Sequence, residues 1–157
     1  MIIALLIAYL LTPASSDEVL DWMGRLPATE TSRNLGHWDR VGSAAKIAEA
    51  IAEVAPDRRT AAEMTVYAVY EGGNRACAVG DGGASLGPWQ EQRVPASVAC
   101  DPRQAAAVWL ERAAKSRNDC AALPENEQLA ALSSGNCGHA HVLARRRDAL
   151  ARGLLGP

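Results

Sequence analysis

Glu71 is the residue of this 157-residue chain whose setting most invites a chemical reading. It closes an apolar stretch, Met64, Val66, Tyr67, Ala68, Val69 and Tyr70, and is followed at once by Gly72-Gly73-Asn74. On a helix it lies one turn above Tyr67 and Ala68 and two above Met64. Apolar neighbours and the negative end of the helix dipole both work against a charged carboxylate there. A carboxylic acid that keeps its proton near neutral pH is what a general acid requires. The competing assignment is a solvated glutamate in the last turn of the helix. Cys137, His139 and His141 are the other grouping of ligand-type residues. Two histidines at i and i+2 do not share a helix face and no clear fourth ligand follows, so neither a metal site nor a cofactor is expected. No Ser-His-Asp arrangement or phosphate-binding loop stands out.

The segments that must position Glu71 read as helices. Ser43 can cap one whose stripe is Ala44, Ile47, Ile51 and Val54, with Lys46, Glu49 and Glu53 facing water; Ala55-Pro56-Asp57 ends it. The next begins at Thr60, with Glu63 three residues on in a capping-box arrangement, and is apolar on nearly every side. Such a helix belongs in the middle of a domain. Gly72 and Gly73 permit the left-handed backbone that stops it. Residues 75–99 hold glycine-rich turns and short extended pieces, and Asp101-Pro102 restarts a helix. Helices are predicted over about 102–116, 124–132 and 139–152, the last ended by Gly153. Residues 17–42 read as an arm with one short helix capped by Ser16, and no internal repeat is evident.

The stretch Ala68-Val69-Tyr70-Glu71-Gly72-Gly73-Asn74, followed by Gly80-Asp81-Gly82-Gly83-Ala84-Ser85-Leu86-Gly87-Pro88-Trp89-Gln90, resembles the active-site stretch of the lysozyme-like superfamily. In that superfamily, which includes soluble lytic transglycosylases and the goose and invertebrate types of lysozyme, a buried helix ends in the catalytic Glu. A Gly-rich Ser-x-Gly-x-x-Gln turn follows. Asp81, ten residues after Glu71, is similar to the Asp of the invertebrate type. Leu132-Ser133-Ser134-Gly135-Asn136-Cys137-Gly138 and the helix bearing Arg145-Arg146-Arg147 resemble the turn and last helix of the same superfamily. The likeness covers about residues 60–152; Gly72 stands where the superfamily usually has Ser, and Leu132 where it often has Tyr.

The resemblance implies an α+β, mainly α, lysozyme-like domain over residues 43–157, with a buried central helix ending in the catalytic Glu. It would cut the β-1,4 bond between N-acetylmuramic acid and N-acetylglucosamine in peptidoglycan, with Glu71 protonating the glycosidic oxygen. Asp81 would stabilise positive charge on the sugar, act as nucleophile or position water, or serve only as a turn residue. Ser85, Trp89, Gln90 and Asn136 become candidate substrate contacts, Trp89 equally a packing residue. The outcome is hydrolysis or intramolecular transglycosylation. The alternative from another class is a catalytically inactive, disulfide-stabilised domain that binds peptidoglycan. Arg145–Arg147 reads as a solvated face that can also touch anionic wall polymer.

Composition sets the frame. The chain is 48% apolar and 22% charged, enough to bury a real core in one domain, and its lack of Phe with abundant Ala favours helices. A net charge of −2 without a basic run argues against general nucleic-acid binding. No window approaches the roughly 20 apolar residues of a membrane span. Ile2–Leu11 is apolar and is followed by Thr12-Pro13-Ala14-Ser15-Ser16, although no Lys or Arg precedes it. This reads as an export leader over residues 1–16, cut before Asp17, or as a weak anchor. Four cysteines without a CxxC pair imply two bridges in a periplasmic or extracellular monomer. Of three pairings, Cys77–Cys100 and Cys120–Cys137 are preferred because each closes a short loop.

Overall fold

In the computed structural model of the chain, the described residues are 8–27 and 37–156, with side chains from residue 43 onward in the second stretch. Most of the first part of the leader reading, and residues 28–36 of the arm, lie outside them. The helices are α1 (Ser16–Arg25), α2 (His37–Val54), α3 (Arg58–Gly72), α4 (Ala96–Ala99), α5 (Pro102–Asp119), α6 (Ala130–Ser134) and α7 (His141–Leu155). Between α3 and α4 run β1 (Val79–Gly80), β2 (Ser85–Leu86) and β3 (Glu91–Gln92), a small antiparallel sheet in that order. Val79 pairs with Leu86 and Ser85 with Gln92. The fold is therefore mainly helical with a minor β component.

Several helices start or stop away from their expected ends, each for a local reason. The cap of α1 is Ser15, not Ser16, because only Ser15 has a Glu three residues on. Its hydroxyl accepts the Glu18 amide at 3.2 Å while the Glu18 carboxylate accepts the Ser15 amide. Glu18 also takes the Tyr9 hydroxyl at 3.0 Å and Arg58 at 2.9 Å, and Arg58 lies 4.1 Å over the Tyr9 ring. The second helix starts at His37, so Ser43 is inside it. No proline interrupts residues 37–42, and the roughly 1 kcal/mol cost of Gly42 is offset by docking of the face that carries Ile47 and Ile51. Asp57 caps α3 by accepting the Thr60 amide at 2.7 Å, which places Thr60 in the first turn. Glu63 is thereby free of a capping box and points inward instead.

Downstream, Asp101 and Pro102 start α5 as expected, with the Asp101 carboxylate on the Gln104 amide at 3.0 Å. The short helix α4, preset by the fixed φ of Pro95, replaces part of the turn region. The segment expected as one helix over 124–132 divides into a 3-10 turn, Glu125–Glu127, and α6. The Ser116 hydroxyl donates to the Gln128 carbonyl at 2.8 Å at this break. Gly153 does not end α7, because Leu154 is buried and its carbonyl accepts Arg25 at 2.8 Å, so the last turn is held on both counts.

The third helix lies at the centre, with Met64, Thr65, Val66 and Ala68 fully buried; α1, α2 and α7 pack against it, and α5 reaches it through Trp109 and Arg117. Val19, Trp22, Ile47, Ile51, Met64, Val66 and Trp109 belong to one continuous core, in which Trp109 meets the Tyr67 ring edge-on at 5.6 Å. Each large apolar side chain so buried stabilises the fold by about 1.5–3 kcal/mol. Cys77 is bridged to Cys100 and Cys120 to Cys137, the expected pairing. The first bridge closes the loop that carries the whole sheet; the second ties the end of α5 to the turn after α6. Among the described residues no helix is long and apolar enough to cross a membrane.

Candidate functional site

The central helix delivers Glu71 to the edge of a cleft of about 300 Å³, formed between the sheet loop on one side and the turn after α6 on the other. Helix α3 ends there because Gly73 takes the left-handed conformation, φ 59°, and returns its amide to the Val69 carbonyl. Gly72 has a different role. A Cβ on it would lie 2.5 Å from the Pro88 carbonyl oxygen and 2.7 Å from its Cα. The serine that the lysozyme-like superfamily usually carries after its Glu does not fit here, since the Pro88 backbone closes directly on the helix end.

The surround of Glu71 differs from the apolar one expected. Its carboxylate is 29% exposed, and Oε1 lies 2.5 Å from Nη2 of Arg147, which α7 brings in from the far end of the chain. Arg147 is itself buried. Its guanidinium lies 4.3 Å over the Tyr67 ring and donates to the Ser133 hydroxyl at 2.9 Å. The reading of residues 145–147 as a solvated face is thus corrected at Arg147, while Arg145 and Arg146 remain exposed. The signal was available, since Arg147 falls on the stripe Ala144, Ala151 and Leu154, the inward face of α7.

Asp81 borders the same cleft, in a 3-10 turn with φ 50°, and accepts the Ser85 hydroxyl at 2.5 Å. Ser85 is 1% exposed and also accepts Gln92 Nε2 at 3.3 Å, so it braces Asp81 from within. Gln90 spends its amide on the Ala78 and Gly87 carbonyls, at 3.3 and 3.0 Å, locking the loop from inside. Trp89 lies at the cleft but is buried, and its indole N–H donates to the Met64 carbonyl at 2.9 Å, which fastens the loop to α3. Glu71, Asp81, Ser85, Trp89 and Gln90 are therefore brought together. Asn136 is not among the residues lining the cleft. Its side chain accepts the Gly138 amide at 2.9 Å and shapes the turn, while Ser133, Ser134 and Gly135 line the cleft in its place, beside Leu132.

Sequence reasoning also missed Arg112 and Glu91. Arg112 reaches the cleft from α5, and Glu91 of β3 is wholly buried beneath it as its ion-pair partner. Burial pushes the Glu91 carboxyl up from its ordinary value, against the opposing pull of the Arg112 guanidinium. Asp81, Gln90 and Arg93 all hold positive φ without being glycine. Such backbone costs of order 1–3 kcal/mol each and clusters at functional loops. Among the described residues, no three His, Cys, Asp or Glu side chains converge as a metal site, and His141 faces Glu127 at 3.4 Å. Set against known protein families, curated proteins and solved structures, the chain matches none.

Proposed function

We propose that this chain is a lysozyme-like glycosidase that cleaves the β-1,4 bond between N-acetylmuramic acid and N-acetylglucosamine in peptidoglycan. The observation that carries the reading is Glu71 at the C-terminal end of a buried helix, opening on a cleft that Asp81 also lines. Arg147 engages Oε1 of Glu71 and so holds the carboxyl group that would act as general acid in one orientation at the cleft. Protonation of the glycosidic oxygen breaks its bond to the anomeric carbon, and positive charge spreads over the sugar ring. Asp81, held by Ser85, stabilises that charge or directs the attacking group. The two bridges fit assembly and action in an oxidising, exported compartment.

One observation favours the second reading, a peptidoglycan-binding domain without activity: both carboxylates already have internal partners, Arg147 and Ser85. Turbidity loss of purified cell walls, followed by product analysis, separates the two. The glycosidase reading expects lysis by the native chain and a fall of about 10²–10⁴-fold in Glu71→Gln with unchanged circular dichroism. Products with reducing ends indicate hydrolysis; products ending in a 1,6-anhydro sugar indicate attack by the substrate's own hydroxyl. Wall binding without lysis, equal in native protein and Glu71→Gln, establishes the binding reading instead.

A further inference from the structure

The loop between Cys77 and Cys100 consists of two limbs with unequal support. Its second limb, residues 88–100, is fastened to the helical body. Trp89 lies in the core and donates to the Met64 carbonyl, the Pro88 backbone closes on Gly72, Glu91 pairs with Arg112, and α4 packs against α5. The first limb, residues 77–86, carries β1, Asp81 and β2 and contributes no side chain to the continuous core. Among the described residues its hydrogen bonds stay within the loop. The Ala78 carbonyl accepts the Gly87 amide at 2.9 Å and Gln90 at 3.3 Å, Ser85 accepts Gln92 and donates to Asp81, and the strands pair with one another. Strands of two residues are weak supports by themselves. The Cys77–Cys100 bridge is thus what joins the limb bearing Asp81 covalently to the limb held by the helices.

Access to the two bridges also differs. Cys77 is exposed and Cys100 half-buried, whereas Cys120 of the other bridge is 1% exposed. Thiol–disulfide exchange needs the attacking thiolate to reach a sulfur, so the first bridge is the one open to a reductant from outside.

We infer that Cys77–Cys100 is a thiol-operated latch on the cleft: reduction by a dithiol frees the limb carrying Asp81, while Cys120–Cys137 and the helices stay in place. A thiolate of the dithiol attacks the Cys77 sulfur, forms a mixed disulfide and expels the Cys100 thiolate, which takes up a proton. The second thiol of the reductant then attacks its own sulfur in the mixed disulfide and releases Cys77, which takes up the other proton. The bridge gains two electrons and the dithiol ends as a disulfide. Glu71 stays on α3, but the wall of the cleft that holds Asp81 and Ser85 is no longer fixed against it. The loss of activity this entails rests on the proposed glycosidase reading; the opening of the limb does not.

The test titrates the full chain with dithiothreitol, traps free thiols with iodoacetamide and maps them by mass. Hydrogen exchange of residues 79–86, circular dichroism and cell-wall lysis are read on the same samples. A range of reductant is expected in which Cys77 and Cys100 are alkylated, Cys120 and Cys137 remain paired and circular dichroism is unchanged. In that range exchange over 79–86 is faster, and lysis is down by about 10²-fold, as for a catalytic group moved out of place. Glutathione disulfide should restore both. Cys77→Ser/Cys100→Ser should show the fast exchange and low lysis with no reductant present. Simultaneous loss of both bridges, loss of circular dichroism with the first, or unchanged exchange after its reduction overturns the inference. Lysis that persists in the reduced, fast-exchanging chain overturns it as well. If the native chain lyses no walls, the glycosidase reading fails, and alkylation and exchange decide whether the limb is released.

Discussion

Arg147 and Glu71 form a 2.5 Å ion pair that ties the last helix to the end of the central one. The same guanidinium lies over Tyr67 and donates to Ser133, so one buried side chain touches the end of α3 at two residues and α6 at one. Held this way, Glu71 has one oxygen fixed by Arg147, and the other has no hydrogen-bond partner among the described residues.

On the proposed glycosidase reading, Arg147 positions the acid. Arg147→Met removes the anchor but keeps much of the packing volume. A fall of about 10²-fold in kcat on cell walls is expected, of the size seen when a positioned acid is misaligned by about 1 Å. Arg147→Lys should restore part of it, as it returns the charge without the fork. A thermal melt distinguishes this from simple unfolding: a kcat equal to the native value once divided by the folded fraction would assign Arg147 to stability alone.

Asp81 and Ser85 act as a unit. Ser85→Ala leaves the Asp81 carboxylate unbraced in a left-handed turn. Asp81→Asn is expected to impair a hydrolase severely, and Ser85→Ala to do so by a smaller factor in the same direction. If Glu71 works alone, both variants keep most of their activity and the products carry anhydro ends. Chromatography of digested walls reads both quantities at once.

Glu63 governs an acid response with a definite sign. Burial pushes its carboxyl above the ordinary 4.5, against Arg117 and Arg59. The folded chain thus takes up this proton at higher pH than the unfolded chain does. Stability from this group rises as pH falls from the raised folded value towards 4.5, and is lowest where both states are ionised. Urea denaturation between neutral pH and about 4.5 should show native stability gaining on Glu63→Gln as pH falls. Arg59 and Arg117 are 40% and 38% exposed, so they can turn to water in the variant. The opposite trend would mean that the ion pairs outweigh burial.

Gly72→Ala tests the contact of the helix end with the loop. The added Cβ meets Pro88 backbone, which cannot swing aside as a flexible side chain would. A destabilisation of about 1–3 kcal/mol is expected from overpacking, together with lowered activity as the loop lifts. Wild-type melting of the purified variant would show that Pro88 does not press on the helix.

What was legible in the sequence was whatever rests on neighbours along the chain. The apolar run ending at Glu71, the glycine after it, the Asp101-Pro102 restart and the short-range bridges all follow from local chemistry. Helix starts were missed where two caps competed, Asp57 with Thr60 and Ser15 with Ser16. Residue type also gave no direction. Ser85 and Gln90 lie in the right stretch but turn their polar atoms into the loop, and Asn136 turns away while Ser133 and Ser134 face the cleft. Arg147 needed a partner from a distant helix, and only its place on an apolar stripe hinted at it.

The two sulfur bridges divide the molecule by what holds it. The helices share a continuous apolar core, whereas the loop between Cys77 and Cys100 contributes only Trp89 to that core among the described residues. The turn containing Ser133 and Gly135 is tethered near Cys137. The two jaws on either side of Glu71 are thus fastened by sulfur, while the body beneath them is fastened by apolar contact.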